Sequence, residues 1–128
     1  MSPPPTAATA TCTFARDDRG FIHAVMRPGC EMTLEDAKEN VAAIFALAGK
    51  RTPVLVDMRG VRSQTREARQ YFGGAEAETA TRAVALLIGS PVSRVLANFF
   101  LRVSNQRIPT QLFTDEALAA AWLRGFTT

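Results

Sequence analysis

Asp57 and the Gly89-Ser90-Pro91 junction are the positions in this sequence best placed for chemistry. Asp57 follows the apolar run Val54-Leu55-Val56 and so ends a strand, at the carboxyl edge where open α/β sheets take ligands. A lone acid there can orient a base or a substrate, or simply accept the loop N–H groups around Arg59 and Gly60. Gly89-Ser90-Pro91 ends a second apolar run, 83–88, just before a helical pattern. The free N–H groups and partial positive charge of a helix start suit an anion, to which Ser93 and Arg94 would add a hydroxyl and a guanidinium. The plainer reading is structural: Ser90 is a favoured N-cap, and Pro91 suits the first helical position while removing one donor an anion would use. No GxGxxG and no Gly-Lys-Ser/Thr is present, so a nucleotide loop is not supported. Asp57, Gly89, Ser90, Ser93 and Arg94 together form the candidate ligand or anion site.

Arginines supply the other candidate. Arg62, Arg66 and Arg69 are spaced i, i+4, i+7 and line up along one face of a helix, with Arg59 and Arg94 near its start. Such a ridge fits an acidic protein surface, a phosphate or an anionic surface, against the plain reading of a solvated helix face. His23, the only histidine, sits mid-strand without a carboxylate close in sequence. No Cys/His/Asp cluster has metal-ligand spacing, and no nucleophile–base set converges, so neither a metal site nor a catalytic residue is assigned. Cys12 and Cys30 read as small apolar fillers. Phe99 and Phe100 are adjacent and diverge by about 100° on a helix. Phe99 belongs to the core stripe, and Phe100 widens the apolar arc towards a dimer contact or an apolar pocket.

These residues need a scaffold, and composition says what kind. The 128 residues suit one domain, with 47% hydrophobic and 21% charged residues. A chain of this size buries roughly two-thirds of its unfolded surface, without a metal or disulfide staple. Fifteen basic against twelve acidic residues give a net charge of +3, too small to argue for nucleic acid. The opening MSPPPTAATAT lacks a basic region followed by an apolar stretch and is expected to be a disordered tail over 1–11. No apolar run is long enough for a membrane span, and free thiols fit a cytoplasmic protein.

From 12 to 128 the pattern is β-β-α-β-α-β-α-β-α. Residues 12–26 form a hairpin turning at Asp17-Asp18-Arg19-Gly20, with Arg16 facing Phe21 and Cys12 facing Val25. Cys30 then lies beyond the paired region, so no Cys12–Cys30 disulfide is expected. Thr33 and Asp36 open a helix as a capping-box variant, with Leu34, Ala37, Val41, Ile44, Phe45 and Ala48 inward and Gly49 closing it. Thr65 caps a second helix that ends at Gly73-Gly74 or slightly later. A third helix follows Ser90, with Val92, Val95, Leu96, Phe99 and Val103 on one face. Gln111-Leu112-Phe113 is a short last strand, and Thr114-Asp115 caps a final helix with Leu118, Ala121 and Trp122 inward. Strands alternating with helices imply parallel pairing through right-handed crossovers, and the hairpin adds an antiparallel edge to a mixed five-stranded sheet.

This order, with PVLVDMRGV (53–61), AVALLIGSPVSRVLANFF (83–100) and IPTQLFTDEALAAAWL (108–123), resembles the SpoIIAA-like, STAS-type domains of the STAS/SEC14 branch. The resemblance spans roughly residues 12–125 and contains no catalytic motif. It implies a small α/β domain for protein contact or ligand sensing. In the phosphorylation-switched members an Asp-Ser pair starts the helix after the Asp-bearing strand; here Thr65-Arg66 holds that place. Thr65 and Ser63 are the nearest hydroxyls. The expectation is therefore a non-enzymatic, cytoplasmic interaction module without cofactor. Its partner surface runs over Arg59, Arg62, Ser63, Thr65, Arg66 and Arg69. A homodimer is a further expectation, and the alternative is a binding domain for a small apolar or anionic ligand.

Overall fold

The computed structural model describes residues 6–89, 91, 94, 95, 98 and 108–127. Eight strands are described: β1 (Thr6–Ala8), β2 (Cys12–Arg16), β3 (Ile22–Met26), β4 (Glu31–Met32), β5 (Thr52–Asp57), β6 (Ser63–Gln64), β7 (Thr81–Leu87) and β8 (Thr110–Phe113). The helices are α1 (Leu34–Ala48), α2 (Arg66–Phe72), α3 (Ala75–Ala80) and α4 (Glu116–Leu123), followed by a 3-10 turn at Arg124–Phe126. Positions 91, 94, 95 and 98 are also helical.

The main sheet runs β1-β2-β3-β5-β7-β8, antiparallel through β1–β3 and parallel from β3 onwards. Its mixed α/β architecture agrees with the sequence expectation, but it has six strands where five were expected. The extra one is Thr6–Ala8, which pairs with β2 from within the segment expected to be a disordered tail. Backbone hydrogen bonds, not an apolar pattern, place that strand. A separate parallel ladder joins β4 to β6.

The hairpin register is offset by one residue from the expected one. Asp17 N–H bonds the Phe21 carbonyl at 2.8 Å, so the loop is longer, Arg16 pairs with Ile22 and Cys12 with Met26. Gly20 takes φ 101° in that loop, as its turn position predicts. The offset puts Ile22, Ala24 and Met26 on the same buried face as Cys12 and Phe14, while Phe21 enters the core on the opposite side.

Alternation along the central strands divides the core. Val54, Val56, Val84 and Leu86 face α1 and α2; Leu55, Ala83, Ala85 and Leu87 face α4. Local chemistry sets the helix ends as expected. Thr33 and Asp36 form a reciprocal capping box, Gly49 ends α1 in the left-handed region, and Thr65 and Asp115 cap α2 and α4. The second helical stretch breaks at Gly73-Gly74 and resumes as α3.

Four inward assignments are corrected. Phe45 is 47% exposed, and Asn40 takes a buried place on α1 instead. On α4 the buried face is Ala119, Ala120 and Leu123, with Leu118 63% exposed and Ala121 outward. Val95 is 65% exposed.

Candidate functional site

The loop after β5 is held from both sides. Met58 N–H bonds the Leu87 carbonyl at 2.9 Å, and the Gly60 carbonyl accepts from Gly29 N–H at 2.7 Å. Gly60 is needed for this approach: a Cβ there would lie 3.0 Å from Pro28 Cα and 3.3 Å from the Met26 carbonyl oxygen. Further on, Arg62 N–H bonds the Cys30 carbonyl at 2.8 Å and Thr65 N–H bonds the Met32 carbonyl at 2.9 Å. Residues 60–65 are thus tied to residues 29–32 by backbone bonds and the β4–β6 ladder.

Asp57, almost fully buried at the end of β5, takes three hydrogen bonds from Arg59. The backbone N–H and Nε both reach Oδ1 at 3.0 Å, and Nη2 reaches Oδ2 at 2.7 Å. Burial pushes the Asp57 carboxyl up, but these bonds and the Arg59 charge outweigh it and hold the group below its ordinary range. The Arg59 stem passes over Gly89, where a Cβ would sit 3.1 Å from both Cγ and Cδ. Asp57, Arg59 and Gly89 therefore form one unit. Arg59 thus sits just after the carboxyl end of β5, as its sequence position implies, with its guanidinium taken up by Asp57.

The remaining ridge residues differ from one another. Arg62 and Arg66 are exposed, and Arg62 makes only a loose 3.8 Å pair with Glu31, itself exposed. Arg69 is half-buried and donates through Nη1 to the Gln64 carbonyl at 2.7 Å. Ser63 lies exposed in β6, and Thr65 Oγ1 accepts from Ala68 N–H at 3.1 Å as the cap of α2. Of the other candidates, Arg94 is helical and exposed; Ser90, Ser93, Phe99 and Phe100 lie outside the described residues.

Two features were hidden in the sequence. His23 Nε2 stands 3.5 Å from Glu116 Oε1 at the start of α4, a contact between residues far apart in the chain. An apolar cavity of about 70 Å³ lies between α1–α3 and the sheet, lined among others by Val41, Met58, Phe72 and Leu86. Gln64 also lines it, and its Oε1 is buried with no hydrogen-bond partner among the described residues. Among the described residues no helix is long and apolar enough to cross a membrane.

Residues 15–127 match the family described as Domain of unknown function (DUF7793). No curated protein matches the chain. Among solved structures, the chain is similar to an uncharacterised protein of the DUF3478 family with a SpoIIAA-like fold from Shewanella loihica. The two are 20% identical, the match covers 96% of this chain and 98% of that one, and the TM-score is 0.56. The likeness establishes a SpoIIAA-like fold, as the sequence resemblance implied.

Proposed function

The chain belongs to the DUF7793 family, and we propose that it is a non-catalytic contact module whose Arg62 and Arg66 receive an acidic protein surface. One contrast carries this reading. The guanidinium groups of Arg59, itself exposed, and of Arg69 are hydrogen-bonded within the domain, whereas Arg62 and Arg66 are exposed without a side-chain hydrogen bond among the described residues, on a segment that backbone bonds hold in place. Guanidinium groups on a fixed frame dock carboxylates with less ordering cost than groups on a free loop. The Thr65 hydroxyl is taken up as the cap of α2, and the contact uses the charges of Arg62 and Arg66 alone.

The test places a photo-crosslinking side chain at Ser63 in the host cell, identifies the captured protein, and measures its binding after purification. Replacing Arg62→Glu together with Arg66→Glu is expected to weaken binding by at least about tenfold, mainly through the on-rate. Thermal stability should hardly change. Unchanged affinity rejects the surface.

A second reading rests on Gln64. Its buried, unpartnered Oε1 beside the apolar cavity suits a small apolar ligand carrying one hydroxyl or N–H donor. Native mass spectrometry of protein purified gently from its host tests this. A small-molecule adduct on each chain, lost in Ala77→Leu, supports it; a bare chain rejects it.

A further inference from the structure

The opposite, amino-terminal edge of the sheet carries a cleft of about 190 Å³ between the β2–β3 turn, the α1–β5 connection and the start of β7. Four cationic side chains line it: Arg16, Lys50, Arg51 and Arg82. They come from three separate stretches of chain, and no sequence spacing connects them. Among the described residues, Asp17 is the one carboxylate lining the cleft, and Arg19 already grips both its oxygens at 2.8 and 2.9 Å. Among the described residues, Arg16, Lys50 and Arg82 have no ion pair or side-chain hydrogen bond. Arg51 Nε donates to the Thr81 carbonyl at 3.1 Å, which fixes the side chain without neutralising its charge.

The backbone adds an independent observation. The β5–β7 register shifts between Thr52 and Pro53: Thr52 pairs with Thr81 and Pro53 with Ala83, leaving Arg82 as the extra residue. A bulge of this kind re-aims side chains at a sheet edge. Simple alternation would put Arg82 on the face of Val84 and Leu86. Instead Thr81 lines the apolar cavity with those two residues, and Arg82 lines the cleft beside Phe21. The irregularity brings the fourth cation to the other three.

We propose that this cleft is a binding site for a small phosphate-bearing ligand. Like charges gathered in one concavity repel one another, and a bound polyanion offsets that repulsion. Guanidinium groups suit phosphate oxygens in geometry as well as charge. The bounded, concave shape selects a small molecule over an extended acidic surface. Phe126 contributes apolar wall beside the charges, which favours an organic phosphate over a bare ion. The site lies at the opposite sheet edge from Asp57 and does not depend on the Arg62–Arg66 surface.

Pyrophosphate is the probe, titrated into the full chain at near-physiological ionic strength and followed by backbone amide NMR. Saturable one-to-one binding is expected, with the largest shifts at Arg16, Lys50, Arg51 and Arg82. Arg82→Gln and, separately, Lys50→Gln should each weaken it by about tenfold, while Arg62→Gln with Arg66→Gln leaves it intact. These side chains are exposed, so the variants should melt like the parent without ligand. Shifts that never saturate, shifts equal to those given by sulfate, or unchanged affinity in both cleft variants would overturn the proposal.

Discussion

Arg59 closes on Asp57 with two guanidinium nitrogens and its own backbone N–H, turning two residues that could each face a ligand into one internal clamp. The clamp holds a buried carboxylate at the end of β5, so its loss should be felt in stability and in pH dependence. A carboxyl held below its unfolded value of 3.8 stabilises fully above that value and loses the contribution as pH falls through the folded one. Arg59→Leu removes the guanidinium bonds and charge and leaves the backbone N–H of residue 59 against burial, which raises the folded carboxyl relative to the parent. The variant should lose about 2 kcal/mol near neutral pH, and the gap should narrow as pH falls towards and below 3.8. Urea unfolding at a series of pH values checks this; a loss independent of pH would show that the clamp is not electrostatic.

Gly60 and Gly89 flank that clamp and differ in what a methyl group would meet. At Gly60 the obstacles are backbone atoms of Pro28 and Met26, which move only if the loop lifts. At Gly89 they are the Cγ and Cδ of Arg59, part of a flexible side chain. Gly60→Ala should therefore cost about 2 kcal/mol or more, and Gly89→Ala about 1 kcal/mol or less. The Gly89→Ala cost should also shrink when Arg59 is already replaced, because the two changes share one contact. Additive costs in that double variant would separate Gly89 from the clamp.

Local signals were legible in the sequence and distant ones were not. Thr33, Gly49, Thr65 and Asp115 fix helix ends through bonds spanning three or four residues, so their roles can be read from spacing alone. Val54 to Val56 read as a buried strand because both faces of β5 are covered. Thr6–Ala8 carries no apolar pattern and becomes a strand only because β2 offers an edge. The hairpin offset follows from one longer loop, and a one-residue shift changes which residues face each other throughout. At the sites, the guanidinium grip of Arg59 on Asp57 is set by loop geometry and was not read from spacing. The Arg82 bulge and the His23–Glu116 contact need the folded chain to exist at all.

Asn40 is 3% exposed and is fully engaged with neighbours from three other positions. Its Nδ2 donates to Thr11 Oγ1 at 3.0 Å and lies 3.2 Å from Met32 Sδ, and its Oδ1 accepts from the Thr9 hydroxyl. It thereby ties α1 to the β1–β2 turn. Asn40→Ala removes the donor to Thr11 Oγ1 and the acceptor of the Thr9 hydroxyl, and should cost about 2 kcal/mol. Hydrogen exchange should show the β1–β2 pairing loosening more than the central strands. Uniform loss of protection would mean that Asn40 supports the whole core and not this junction.

The two thiols should react in a fixed order. Burial pushes the Cys12 thiol up to about 12, against a smaller opposing effect from its Thr11 contact. The Cys30 thiol is also raised by burial, but that residue is only partly covered. Because the thiolate is the reacting species, native Cys12 should resist alkylation at mildly basic pH while Cys30 is modified slowly. Cys12 is then labelled only at the rate at which β2 and β3 open, and added urea should accelerate it far more than Cys30. Timed alkylation with peptide mass analysis gives both rates. Equal native rates would mean that the β2–β3 ladder opens readily on that timescale and that Cys12 is not a stable part of the core.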